Sequence, residues 1–404
     1  MRSYTEIQQR MRKLSNEIRK MSNEISELSR DLSKLMAVQS KKAINLQRIT
    51  ATGSRFPLRG HYLVEQEHKL QNAYLTLLTA VAMQSENNPV AGLQQVQRIL
   101  SALTCKKTLE QLVADASTLK EEQLDTLTKT VNAASEAVEP WLLDAILLCI
   151  AGGNSAKQRE FLSGIVELIG ARETQVANMA KLAAAINRKD TDAIGQCWEN
   201  TDITRFHEYF VPHRGEPLII KSGKKIMLIG DGQTPTTPNL FCDLHNDQIK
   251  SFFAYHAVIA RIAGSYSLLD YLHLEDCVVR DVNQYDDHLF KFTFGKEYFE
   301  TPHKGYTKLI NCSFRNFKCH DAIRLNDNCE LKNVRIENIE TSKYDGCAIW
   351  LAGNIFVNGL TLSDISGKYV VYTLEGSITF AGDCTYHNCS GYMPDSFLKN
   401  FRKI

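Results

Sequence analysis

The sequence predicts a multidomain α + β chain: an N-terminal coiled coil, an α-helical domain and a C-terminal solenoid of stacked β coils. Three observations predict it. Residues 4–50 carry apolar side chains alternately three and four apart. Residues 61–200 hold a succession of short amphipathic patterns. Residues 277–389 repeat one six-residue phrase. At 404 residues the chain exceeds what a single core serves, so two or three domains are expected. The divisions read as 1–52 coiled-coil helix, 53–60 linker, 61–200 helical domain, and 201–404 β domain with an irregular N-terminal cap.

The helix comes first. Tyr4, Ile7, Met11, Leu14, Ile18, Met21, Ile25, Leu28, Leu32 and Leu35 form an a/d heptad seam. The seam lapses at Gln39 and Lys42 and resumes at Leu46 and Ile49. A helix of about 45 residues is about 70 Å long and cannot bury its stripe alone. Self-association through Met11, Leu14, Ile18, Met21, Ile25, Leu28, Leu32 and Leu35 is the simplest solution; packing back on its own chain is the other. The mixed a and d residues fix no oligomer number. Ser15, Ser22 and Ser29 in one flanking column permit close approach, and so a bundle of more than two helices. TGSRFPLRG, 52–60, has Gly, Ser, Pro and no periodicity, which reads as a linker.

Charge and cysteine content bound the function. Net charge is +1, which predicts no partner, but residues 1–60 carry 13 Lys/Arg against 5 Asp/Glu. Arg10, Arg12, Lys13, Arg19 and Lys20 form either a solvated helix face or a surface for nucleic acid. The 11 cysteines include no C-x-x-C pair, and several sit in strand-like apolar runs. That usage fits small buried hydrophobes in a reducing cytoplasm better than a disulfide framework. MRSYTEIQQR has no apolar signal core, and WLLDAILLCIAGG is too short to span a bilayer and contains Asp144. No membrane anchor is expected.

In the middle, HKLQNAYLTLLTAVAMQ, GLQQVQRILSAL, EEQLDTLTKTVNAA, WLLDAILLCIA, QREFLSGIVELIGA and TQVANMAKLAAAIN show three-to-four spacing between short turn signals, so antiparallel helices follow. Two arms, AYLTLLTAVAMQSENNPVAGLQQVQRIL and DAILLCIAGGNSAKQREFLSGIVELIG, share a helix–turn–helix pattern that resembles the TerB-like helical family. In that family acidic turn residues can hold a metal. Here the turns read QSENN and AGGNS, with Glu86 and Glu160 the nearest carboxylates. A hard cation needs several oxygen ligands, so neither metal nor other cofactor is expected and the domain reads as structural.

The repeated phrase reads CVVRDV (277–282), CSFRNF (312–317), VRIENI (334–339), LTLSDI (360–365) and CTYHNC (384–389). Its fifth position is Asp281, Asn316, Asn338, Asp364 and Asn388, at steps of 35, 22, 26 and 24 residues. Alternation before an Asn or Asp is a strand followed by a corner. A second strand follows each phrase: HLFKF, AIRL, AIWL, VVYTL and SFL. ELKN, IFVN and ITFA supply a third. Three strands per turn of about 24 residues describe a parallel β-helix, whose coils stack about 4.8 Å apart and bury one another's inward side chains. Cys277, Cys312, Val334, Leu360 and Cys384 fall in one inward column. EPLIIKSGKKIMLIGDG reads as an earlier coil, and the start of QIKSFFAYHAVIARIAGSYSLLD as a helix inserted in or capping the solenoid.

This repeat resembles the right-handed parallel β-helix family of pectate lyases and tailspikes, and the handedness comes from that resemblance. Polysaccharide-cleaving members place carboxylates on one outer face, where a pair acts on a glycosidic bond. The residues before the second strand include Asp286, Asp287, His320, Asp321 and Asp345. Asp287, Asp321 and Asp345 are therefore the catalytic candidates, with Trp350, Tyr344 and His320 as binding candidates. Asp before a strand is also an ordinary turn residue, and the family's fuller catalytic signatures are not assembled here. CDLHNDQ lacks a regular metal-ligand spacing and reads as a polar loop. No phosphate loop, G-x-S-x-G, H-E-x-x-H or dinucleotide fingerprint is present. The expected function is an oligomeric, non-enzymatic scaffold or recognition protein that self-associates through residues 4–50 and binds a protein partner. A carbohydrate-binding or polysaccharide-cleaving spike-like protein is the alternative, and a nucleic-acid-associated factor a second.

Overall fold

The computed structural model describes residues 45–404 except 105–106, 212–214, 236–248, 261–270, 284–305, 326–327 and 375. The heptad seam from Tyr4 to Leu35 and the basic cluster Arg10–Lys20 lie outside those residues.

The first described helix, α1 (Leu46–Gly53), starts on Asn45, whose side chain accepts the Arg48 N–H at 2.9 Å. Ile49 is buried in the helical core, and Leu46 packs against the same core. These two residues therefore do not extend an exposed seam. Residues 53–60 are not a free linker either. Leu58 is buried, its N–H bonds the Arg98 carbonyl, and Arg98 Nε returns a bond to the Phe56 carbonyl.

Eight further helices build the domain: α2 (His68–Met83), α3 (Pro89–Leu100), α4 (Leu109–Ser117), α5 (Glu121–Ala133), α6 (Val138–Ala151), α7 (Ala156–Ile169), α8 (Glu173–Arg188) and α9 (Thr191–Cys197). Helix α2 is apolar nearly all round and buried, as a central helix must be; α3, α4, α5 and α6 pack about it. The turns after α2 and α6 meet. Ser85 Oγ donates to the Gly152 carbonyl at 2.7 Å and Asn87 Nδ2 to the Gly153 carbonyl at 3.2 Å. The turn residues of the two arms thus satisfy each other.

Asp144 explains itself once the fold forms. It is fully buried in α6 and accepts Tyr74 OH at 2.7 Å, Tyr209 OH at 2.5 Å and His61 Nε2 at 3.0 Å. His61 Nδ1 accepts the Leu63 N–H, so Nε2 carries the proton given to Asp144. A buried charge is tolerable when its lone pairs are filled in this way. The network anchors the 3-10 helix Ile203–Tyr209, which follows α9 and carries His207 and Glu208.

The remainder is a β-solenoid of about five turns, one for each phrase, preceded by shorter rungs. The hairpin β1 (Leu218–Ser222) and β2 (Lys225–Ile229) is antiparallel. Parallel pairing then runs through β3 (Ser251–Tyr255), β5 (Tyr271–Glu275), β7 (Tyr306–Ile310), the start of β10 (Asn328–Thr341), the start of β12 (Ile355–Thr373) and β13 (Ile378–Ala381). A second face stacks β4 (Val258–Ala260), β6 (Val278–Asn283), β8 (Ser313–Cys319), the middle of β10 and β12, and β14 (Thr385–Tyr392). A third stacks β9 (Asp321–Leu325), β11 (Cys347–Leu351) and the end of β12. Residues 251–260, expected as an inserted helix, hold β3 and β4: alternation turns Phe252 and Ala254 into the solenoid core in register with Leu272 and Leu274, while Tyr255 packs in the helical core.

Inward columns follow the period-two rule. Ser313 pairs with Val278 and Arg335, and Leu360 pairs with Val334, which places Cys277, Cys312, Val334, Leu360 and Cys384 in one buried column. No disulfide occurs among the described residues. The fifth phrase positions line up at one corner, all with positive φ: Asp281 58°, Asn316 61°, Asn338 53°, Asp364 53° and Asn388 46°. Asn amides bond back to the rung before, from Asn316 to Asp281 at 2.9 Å, from Asn338 to Asn316 at 2.9 Å and from Asn388 to Asp364 at 2.8 Å.

A second corner repeats the device one strand earlier. His256, Asp276, Asn311, Asn333, Gly359 and Gly382 all have positive φ, and Asn333 bonds Asn311, which bonds Asp276. The ladder starts on His256.

Strand β2 joins the two domains. Ile226 and Leu228 point into the solenoid core, while Met227 and Ile229 point into the helical core. Its uninterrupted apolar run reflects burial on both faces. Helix α9 lies close on β1, and a Cβ on Gly195 would collide with the Lys221 carbonyl. At the far end, α10 (Asp395–Asn400) covers the last coil with Phe397, and β15 (Arg402–Lys403) pairs with β14. Residues 396–398, expected as a strand, belong to this helix, where Phe397 packs on Phe380 at 4.9 Å.

Candidate functional site

The third face and its approach hold most of the expected site residues. Asp287 lies outside the described residues. Asp321 begins β9, and the register sets it beside Cys347 on the next rung. Asp345 stands two residues before Cys347, in the turn Ser342–Gly346, so the two acids do not share a rung position. Asp345 instead accepts His320 Nε2 at 2.8 Å and Ser342 Oγ at 3.1 Å. Its side chain is 65% exposed. These contacts tie the turn to the start of β9. Glycoside cleavage needs two carboxyls flanking one bond; the contacts of Asp345 run to His320 and Ser342. Tyr344 projects beside this turn at 88% exposure.

Trp350 sits in a row that the sequence reading did not assemble. It is the outward residue of β11, between buried Ile349 and Leu351. The register places Tyr372 on the next rung, with ring centroids 4.6 Å apart. Tyr369 follows at 5.0 Å from Tyr372, and Tyr392 at 5.9 Å from Tyr369. Lys368 Nζ lies 5.2 Å from the Tyr369 ring centroid. Four aromatic rings thus form a ledge over the last rungs. Rung stacking sets Trp350 beside Tyr372 and Tyr369 beside Tyr392, while Tyr369 and Tyr372 meet within β12. GKYVVYT and SGYMPD supply the signal, but their tyrosines align only once the register is known.

A second cluster, also missed in the sequence, sits where the solenoid meets the helical domain. His256 Nε2 lies 3.0 Å from Glu208 Oε1, and His256 Nδ1 lies 3.3 Å from Asp276 Oδ2. His207 Nε2 lies 3.7 Å from the same Glu208 oxygen. The His207 ring stacks on Tyr255, with centroids 3.8 Å apart and planes 9° apart. Burial alone would lower the His256 pKa, but its bonds to Glu208 and Asp276 outweigh that and raise it. Burial lowers the His207 pKa, which keeps that ring neutral. His207 and Glu208 are adjacent, but Tyr255, His256 and Asp276 lie far from them in sequence, and the set carries no motif spacing.

No helix among the described residues is long and apolar enough to cross a membrane. In comparison with known proteins, no family, curated protein or solved structure matches the chain.

Proposed function

We propose that this chain is an oligomeric, non-enzymatic recognition scaffold of the cytoplasm. The N-terminal heptad helix assembles copies, the helical domain spaces and braces them, and the solenoid offers a fixed face to a protein partner. The right-handed winding and the tailspike-like and TerB-like likenesses belong to the same reading and rest on sequence resemblance. The observation that supports it most is the ledge of Trp350, Tyr372, Tyr369 and Tyr392. Aromatic side chains on a rigid backbone bury large area at low entropic cost, and Trp and Tyr are the residues that dominate protein interfaces.

The test is capture of partners by the full chain and by a Trp350→Ala/Tyr372→Ala double variant. A protein retained by the first and lost by the second supports the reading. A partner set identical for both chains removes the ledge as the recognition site.

The second reading is carbohydrate binding, favoured by the same row, because sugar rings stack on Trp and Tyr. Binding of an acidic or neutral polysaccharide that the double variant abolishes would replace the protein partner with a glycan. Cleavage of that polysaccharide, lost in Asp345→Ala, would make the chain an enzyme. Assembly has its own check. Solution mass of the full chain against residues 45–404 is expected to drop from a multiple to a single chain, and equal stoichiometry refutes assembly through the heptad helix.

A further inference from the structure

His207, Glu208 and His256 present three ligand-type atoms to one point, all within 4.8 Å of one another. The two Glu208 contacts, at 3.0 and 3.7 Å, bracket the separation of about 3.3 Å that neighbouring ligands have around a tetrahedral zinc ion with bonds of about 2.0–2.1 Å. The surroundings fit the same chemistry. His207 Nδ1 lies 2.9 Å from the Thr204 carbonyl and so donates its proton there, which leaves Nε2 as a lone pair. His256 Nδ1 faces the Asp276 carboxylate. A histidine that ligates a metal through one nitrogen commonly donates the other to a carbonyl or a carboxylate, and both rings here are held in that manner.

Gly60 completes the geometry. A Cβ at this position would lie 2.7 Å from Glu208 Oε1 and 2.9 Å from His207 Nε2, so only glycine leaves the two atoms uncovered on that side. The side chains of His207 and Glu208 are 10% and 8% exposed, and that of His256 21%. A cleft of about 720 Å³, lined by Phe56, Arg98, Ile194 and Leu218 among others, reaches Glu208.

We propose that His207 Nε2, a Glu208 carboxylate oxygen and His256 Nε2 bind one divalent transition-metal ion, with the ligand chemistry of zinc. The ion takes the place of the proton between His256 and Glu208, and that proton goes to solvent. Two ligands come from the 3-10 helix of the helical domain and one from the first corner of the solenoid's ladder. The ion therefore fastens the two domains at one point. The site stands independently of the aromatic ledge.

Full-length protein stripped with chelator and titrated with Zn²⁺ alone, then with Co²⁺ alone, tests this. About one equivalent of zinc per chain is expected, with the visible absorption of tetrahedral cobalt. His207→Gln and His256→Asn are expected to weaken uptake by roughly a hundredfold. Gly60→Ala, which keeps all three ligands and covers two of them, is expected to weaken it at least about tenfold, the size of effect that disturbed surroundings have on metal sites. Zinc should raise the melting temperature of the wild-type chain and of a His320→Gln control. Failure of the stripped wild-type chain to take up zinc or cobalt overturns the proposal. So does uptake by folded His207→Gln equal to wild type. Wild-type uptake decides the matter if any variant fails to fold.

Discussion

Single side chains in both cores show where stability is held and where it is forgone. Thr307 lies in the first inward column between Leu272 and Cys329, fully buried, and its hydroxyl has no hydrogen-bond partner among the described residues. An unmet buried hydroxyl costs about 1–3 kcal/mol. Thr307→Val keeps the shape and removes the hydroxyl, so stability should rise by about 1 kcal/mol in urea denaturation; a fall would mean that the hydroxyl is bonded. Tyr74 makes the opposite case. Burial, then the Asp144 charge, holds its phenol well above the ordinary value of 10.0. A group raised in the fold adds stability that is complete below its unfolded value and lost as pH climbs towards its folded one. The protein should therefore lose stability above about pH 10, and Tyr74→Phe should make that alkaline slope shallower. An unchanged slope would assign the effect to other groups. Burial pushes the Cys312 thiol up to about 12, as suits a cysteine that serves as a core hydrophobe.

At the scale of elements, the corners decide the fold. Asn316, Asn338 and Asp364 were legible because their side chains tolerate left-handed backbone and because the strand before each keeps one pattern. The earlier corner has the same backbone, yet its residues are His256, Asp276, Asn311, Asn333, Gly359 and Gly382. A left-handed position accepts any of these, so no single letter recurs, and the sequence shows only the better-marked ladder. Strand β3 reads as helix in the sequence for a related reason: SFFAYHAVIA is mostly apolar and its alternation lasts only a few residues, too short a period to tell strand from helix. The ladder makes a quantitative prediction. Asn338→Ala leaves a Cβ in left-handed geometry without the short polar side chain by which Asn tolerates it, and removes the amide bond to Asn316, which should cost about 2 kcal/mol. Asn338→Gly also removes that bond but meets no steric penalty at positive φ, and should cost about half as much. Equal losses in chemical denaturation would mean that backbone strain contributes nothing there.

On the whole molecule, the helical and solenoid cores share β2, so the boundary near residue 200 marks a change of secondary structure and not a gap between bodies. That was beyond reading from composition: an apolar run such as IMLIG shows that both faces are buried, but not that each faces a different core. The aromatic ledge and the His207–Glu208–His256 cluster were illegible for the same reason, since each depends on contacts between residues far apart in the chain. Both ends of the solenoid are stopped. The hairpin β1–β2 and the helical domain close one end. Phe397 and Phe401, with ring centroids 5.4 Å apart, lie over the other.

Those two stoppers govern colloidal behaviour. A bare terminal coil is a row of unmet amides and carbonyls on which a neighbour's coil can nucleate, and growth from it has no natural length. Phe397→Asp should loosen the aromatic plug and turn a clear solution into one that scatters light and binds amyloid dyes within hours, while the wild-type chain stays clear. If the variant stays equally clear, the aromatic plug is not what keeps neighbouring molecules apart.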